Sequence, residues 1–224
     1  MPRRTLVAWS GGKDSALALY EIIESHEYEV AAVLTTVTDG YDRISMHGVR
    51  RSLLQQQADS LGLPLEEVRI SQRVTNEEYE CKMRQVLEKY RAQGIRSVVF
   101  GDVYLEDIRK YRERNLAKVD MVGVFPLWGR DTRELVASFL KPGFRAVVTC
   151  VDLRSLDKEF AGREIDAAFF EELPREVDRC GENGEYHSFV YFGPIFKDAV
   201  PFTRGKTVVR DTHFCYRDLL PNSS

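Results

Sequence analysis

Cysteine is scarce in this chain. Its four cysteines, Cys81, Cys150, Cys180 and Cys215, stand far apart and form no CxxC pair, which excludes a disulfide-framed fold. No apolar run approaches the ~20 residues of a membrane-spanning helix. The start, "MPRRTLVAW", passes straight into a strand pattern with no signal-peptide core. The expectation is a soluble cytoplasmic protein with no membrane partner. A surplus of positive charge is missing too: 32 Lys and Arg face 35 Asp and Glu, a net charge of −3, so global electrostatics do not support a nucleic-acid partner. The basic stretches "RISMHGVRR" and "RKYRERNLAK" read as solvated faces. Internal repeats and low-complexity tracts are absent. What the chain does have is 43% hydrophobic content over 224 residues, enough for one large domain or two small ones.

The apolar residues fall into an alternating order. Strand patterns at 5–9, 30–37, 65–70, 97–100 and 121–124 are short, near-continuous apolar runs. Between them lie helical patterns at about 14–25, 49–61, 76–92 and 106–117, the second stopped by "GLP" and the third by Gly94. Strand–helix alternation with buried strands predicts an α/β fold, a Rossmann-like parallel sheet covered on both faces. Such sheets bind ligands at the carboxyl ends of their strands. After "VFPLWGRDTREL" the pattern loosens: a helix at about 132–140, a strand at 146–152, a polar helical stretch, the loop "CGENGEYH", and short strand-like segments. This divides the chain into residues 1–125 and a smaller C-terminal α/β domain, 126–224.

The stretch "SGGKDS", residues 10–15, lies where the first strand turns into the first helix. Gly11 and Gly12 let backbone N–H groups approach a ligand closely. The helix turns its positive dipole end toward the same point. Ser10 and Ser15 add hydroxyls and Lys13 a mobile charge, so all but Asp14 favours an anion. Asp14 suits a metal ion or a helix cap. The spacing is neither the Walker pattern nor the dinucleotide pattern GxGxxG.

Residues 10–15 resemble the PP-loop, SGGxDS, of the ATP pyrophosphatases. Together with "PLWGRDTREL", "GFRAVVTCVD", "FAGREID" and "CGENGEYHSFVYFGPIF", they give the chain, from about residue 5 to 196, a resemblance to the diphthine–ammonia ligase family. That resemblance implies an adenine nucleotide alpha hydrolase-like fold. It also implies an activity: ATP adenylates a carboxylate, ammonia displaces AMP, and an amide, AMP and pyrophosphate result. The family's acceptor is diphthine, a modified histidine on a translation elongation factor. One stretch departs from the pattern. Where GxxxSxYQxxRxE is expected, the chain reads "GDVYLEDIRKYRER". Gly101 and the Glu113–Arg114 pair line up and the Tyr-Gln does not. With "MHGVRR" upstream, this variant resembles the bacterial type, whose acceptor would be a small molecule rather than diphthine.

On this reading ATP is held by Ser10, Gly11, Gly12, Lys13, Asp14, Ser15, His47, Gly101 and Asp102, with Mg²⁺ on Asp14 and Asp102. His47 either contacts the α-phosphate or is a surface histidine before a helix. Glu106 and Asp107 read as acids favoured at a helix N-terminus. Glu182 and Glu185 are expected to orient ammonia or take its protons. Asn183, His187 and Arg114 are expected to bind the substrate, and Lys13, Asp14, Glu182 and Glu185 to carry the chemistry. Cys180 reads as a structural thiol. Two other readings stand beside this one: a tRNA-modifying PP-loop enzyme, and a non-catalytic ATP- or AMP-binding sensor.

Overall fold

A computed structural model describes residues 2–39, 43–44 and 48–222. Strand β1 (Arg3–Ala8) leads into helix α1 (Lys13–Glu24), then β2 (Tyr28–Thr38), a two-residue β3 (Arg43–Ile44) and α2 (Arg51–Leu61). β4 (Leu65–Ile70), α3 (Asn76–Ala92), β5 (Ser97–Val99), α4 (Glu106–Ala117) and β6 (Val122–Val124) complete the first layer system. Five strands run parallel in the order β4-β2-β1-β5-β6, and β3 pairs antiparallel with the end of β2. The order reverses at β1: the chain steps outward through β2 and β4, then returns to β5. That switch point opens a crevice between the carboxyl ends of β1 and β5.

Side-chain periodicity decides which face each helix covers. In α3 and α4, Leu87, Tyr90 and Leu116 pack on one sheet face with Leu6, Leu34, Val98 and Phe100. In α1 and α2, Leu17, Leu19, Leu53, Leu54 and Ala58 cover the other face with Val7 and Val33. Gly62, in the left-handed region, ends α2 where "GLP" predicts a stop.

The remainder of the chain builds α5 (Thr132–Leu140), β7 (Arg145–Asp152), a 3₁₀ turn at Lys158–Phe160, α6 (Ala167–Glu172), β8 (Tyr186–Phe192), β9 (Phe202–Arg210) and β10 (Phe214–Pro221). Its sheet is antiparallel, in the order β8-β7-β10-β9. The segments expected to be short are thus a hairpin of nine- and eight-residue strands. The sequence conceals it because β9 is largely exposed and its turn uses two left-handed residues, Asp211 and Thr212, neither of them glycine. Val147, Val148, Phe189 and Val190 of this second sheet join the same buried cluster as Val7, Leu17 and Leu53 of the first. The two sheets therefore share one core.

Candidate functional site

Helix α1 begins without the usual side-chain cap. Gly12 occupies the N-cap position and makes no side-chain cap hydrogen bond, whereas Thr75 and Asp131 cap α3 and α5 through their own oxygens. A bare N-terminus leaves first-turn N–H groups and the positive dipole end for an incoming anion. One of these donors is engaged from outside the helix: Lys13 N–H donates to Ser188 Oγ of β8 at 3.1 Å. Around the turn, Gly12 N–H donates to Ser10 Oγ, the Ser10 and Ser15 hydroxyls lie 3.2 Å apart, and Ser15 Oγ donates to the Gly12 carbonyl. Gly11 has φ +77°, and a Cβ there would lie 2.7 Å from Gln57 Oε1 and 2.8 Å from Leu54 Cδ2. Only glycine fits this position.

Lys13 is buried, and its ammonium donates to both oxygens of Asp14 at 2.8 Å and to the Cys180 carbonyl. Burial works to lower its pKa, but the adjacent Asp14 carboxylate overrides that and raises it above the ordinary lysine range. Lys13 is therefore a fixed positive charge at the head of the helix.

A second wall comes from residues 178–188. Asp178 Oδ1 accepts from the N–H groups of Cys180 and Glu182, and Glu185 accepts from Asp178 N–H, Asn183 N–H and the Asn183 side-chain amide. The loop is thus folded around two carboxylates. Glu182 points away from that internal network, and its Oε1 accepts Val103 N–H from across the cleft at 2.8 Å. Burial, reinforced by the nearby Asp14 carboxylate and opposed by the Val103 hydrogen bond, pushes its carboxyl up to about 7. Burial and the Lys13 charge lower His187 to about 4, so its imidazole is neutral. Burial pushes the Cys180 thiol up to about 12, and this agrees with a structural role.

The third wall is the β5–α4 connection. A Cβ on Gly101 would lie 2.7 Å from the backbone carbon and oxygen of Asp14, so this glycine allows β5 to press against the start of α1. Asp102 is held by Arg112, which donates through Nε at 2.5 Å and through its terminal nitrogen at 3.0 Å. The walls enclose a cleft of about 960 Å³. Leu34, Met83, Leu87, Val98 and Phe100 give part of its lining an apolar character. It combines an anion-favouring helix N-terminus with apolar lining.

Ser10, Gly12, Lys13, Asp14, Ser15, Gly101, Asp102, Glu182, Asn183 and His187 all line this single cleft. Gly11 lies beneath it. Glu185 is buried behind the loop surface, does not line the cleft, and has both oxygens committed to the loop. Arg114 is exposed on α4 and does not itself line the cleft; its guanidinium lies over the ring of Tyr111, which does. His47 lies outside the described residues. Among the described residues no group of three or more His, Cys, Asp or Glu forms a metal cluster. Sequence reasoning missed Ser188, Arg112 and Gln57. For Gln57 a signal exists: it shares the buried face of α2 with Leu53, Leu54 and Ala58, at helical spacing.

Residues 3–122 match the diphthamide synthase N-terminal domain, and residues 131–214 match the diphthamide synthase C-terminal domain. Among curated proteins, the chain is 25% identical to diphthine–ammonia ligase of Danio rerio, with 89% of this chain and 86% of that protein covered. It is 24% identical to diphthine–ammonia ligase of Homo sapiens, with coverage of 89% and 83%. Among solved structures, a U34-tRNA thiolase, NcsA, from Methanococcus maripaludis, determined with its [4Fe-4S] cluster, aligns with a TM-score of 0.37 at 11% identity, covering 61% of this chain and 56% of that one.

Proposed function

The chain belongs to the diphthamide synthase family, and from that premise we propose that it makes an amide from a carboxylate and ammonia at the expense of ATP, as its diphthine–ammonia ligase relatives are named for doing. The carrying observation is that one cleft holds both an anion site, the bare N-terminus of α1 with the Lys13 charge, and a carboxyl of raised pKa, Glu182. Each half suits one half of the reaction. In the first, a carboxylate oxygen attacks the α-phosphorus of ATP, the α–β bridging bond breaks, and pyrophosphate leaves with its new charge beside Lys13 and the first-turn N–H groups. In the second, ammonia attacks the acyl carbonyl, AMP departs, and the nitrogen gives up a proton to Glu182, whose pKa near 7 suits a base at neutral pH.

Mg²⁺ binds commonly through one or two carboxylates and the phosphates themselves. Asp14 and Asp102 are the carboxylates that would share such an ion, and each would have to loosen a two-oxygen pairing, Asp14 with Lys13 and Asp102 with Arg112. The ion would supply neutralisation of phosphate charge. Asn183 and His187 face the same space as Glu182, and we assign the acceptor to that side of the cleft. Thiol chemistry has no support among the buried cysteines: burial raises Cys150 and Cys180 to about 12 and Cys215 in the same direction.

The acceptor is diphthine on an elongation factor, or a small carboxylic acid in an organism without diphthamide. The test incubates the protein with ATP, Mg²⁺, ammonium and diphthine-bearing elongation factor, then separates nucleotides and weighs the acceptor. AMP with pyrophosphate, and amide in place of carboxylate, is the expected result. ADP with phosphate overturns the reading. AMP without amidated elongation factor moves the acceptor to the small-molecule class.

A further inference from the structure

Gln57 is fully buried, yet it is a polar side chain in the middle of an apolar helix face. Such a residue is tolerated only if its amide is satisfied. Here it is satisfied by three different segments. The Trp9 indole N–H donates to Oε1 at 2.9 Å. The Nε2 group donates to the Gly11 carbonyl at 3.0 Å and to the Val190 carbonyl at 2.6 Å. Val190 N–H also donates to the Gly11 carbonyl at 2.9 Å. The end of β1, the glycine turn and strand β8 therefore meet on one side chain from α2.

The consequence lies in the Gly11–Gly12 peptide. A peptide unit is planar and trans, so its C=O and N–H point in opposite directions. Two donors, Gln57 Nε2 and Val190 N–H, draw the Gly11 carbonyl down into the core. The Gly12 N–H must then point the other way, on the side where Ser10 Oγ lies and where Gly12 and Ser10 line the cleft. Two consecutive glycines offer little intrinsic resistance to rotation of the peptide between them. If the unit flipped, a carbonyl oxygen would face the bound phosphates in place of an N–H. We propose that Gln57 is a positioning residue that latches the Gly11–Gly12 peptide with its N–H toward the anion, and so sets the affinity for the pyrophosphate group rather than for the nucleoside. This rests on the reading of the cleft as a site for ATP.

The experiment measures binding of inorganic pyrophosphate and of adenosine separately by calorimetry, to wild type and to Gln57→Met, which keeps the volume and removes the Nε2 donor, leaving Val190 N–H of the two donors to the Gly11 carbonyl. Pyrophosphate affinity is expected to fall roughly 10- to 100-fold, the size of a lost hydrogen bond to a charged group, while adenosine affinity stays unchanged. Parallel loss of both ligands, or loss of neither, overturns the latch. Gln57→Glu serves as a second variant, checked for folding by near-ultraviolet circular dichroism. Burial keeps its carboxyl protonated, and the acid O–H restores one donor, so its pyrophosphate affinity should lie between those of Gln57→Met and wild type. An affinity no better than that of Gln57→Met in a folded Gln57→Glu overturns the proposal as well. If wild type binds no pyrophosphate at all, the ATP reading fails and takes the latch with it. If wild type binds and Gln57→Met binds equally, the latch alone fails.

Discussion

The two glutamates of the "GENGE" loop, three residues apart, have opposite surroundings. Glu182 reaches across the cleft to Val103 N–H, and Glu185 turns inward to the loop's own donors. Glu182 is thus the candidate base. As an acid it ionises near 7, so at a fixed concentration of free ammonia the amide-forming step should rise with pH about that value. Glu182→Gln should remove this limb and slow the step about 10²- to 10⁴-fold, with ATP affinity retained. The check is a pH profile of single-turnover amide formation beside calorimetry with ATP. The same shift bears on stability. The folded carboxyl holds its proton more tightly than the unfolded chain's, so its contribution is fully present below the ordinary glutamate range. It is lost as pH rises through about 7. Glu182→Gln should therefore melt higher than wild type at pH 8 and alike at pH 4. A lower melting point at pH 8 would contradict the burial of this carboxylate.

Within elements, the loop at 178–186 and the start of α1 are built by close backbone contacts. Glu185 holds three donors of the loop, so its replacement acts on the loop's fold rather than on a proton transfer. Glu185→Ala should cost roughly 1–3 kcal/mol of stability by leaving buried N–H groups unpaired. Glu185→Gln should cost less, because one oxygen still accepts. Denaturant titration of both, beside Glu182→Gln, checks the ranking; equal stability of all three would remove the loop-building role. Gly101 works similarly between elements. Gly101→Ala would push a methyl group to 2.7 Å from the Asp14 backbone. Displacement of the first turn of α1 should follow, costing about 1–3 kcal/mol from overpacking along with affinity for ATP. Unchanged melting and ATP binding in this variant would show that β5 and α1 have room to part.

For the whole molecule, strand β8 is both a strand of the second sheet and a support of the glycine turn. It supplies Ser188 to Lys13 N–H, and Val190 to Gly11. The apolar residues of both sheets form one cluster. The segment 1–125 expressed alone would lack the part of that cluster supplied by Val147, Phe189 and Val190, and would leave apolar surface of α1 and α2 in water. It should show no cooperative thermal transition and no pyrophosphate binding, although the whole "SGGKDS" motif is present. A sharp transition with intact binding would establish 1–125 as an independent domain.

Much of this was legible in the chain itself. The strand runs and helix stops are local properties of backbone and apolar spacing, so "VAAVLTTV" and "GLP" declare β2 and the end of α2 without help from distant residues. The "SGGKDS" turn is local too, since its chemistry follows from glycines at a strand–helix junction. Other features are contacts between segments far apart in sequence, and no local pattern encodes them. Glu182 and Glu185 look alike in the sequence, and only the partners at Val103 and Asp178 separate them. Arg114 falls on an exposed turn of α4, while Arg112, two residues earlier and so on a different side of the helix, faces Asp102. Gln57 is one of three successive glutamines, yet of the three it alone is fully buried, donating to a carbonyl 46 residues away and another 133 residues away. The short-range periodicity determined the elements of the parallel sheet, and the glycines at the strand–helix junction determined the anion-favouring character of the turn. Tertiary packing, by choosing which polar groups lose water and which partners replace it, decided what each side chain in the cleft can do.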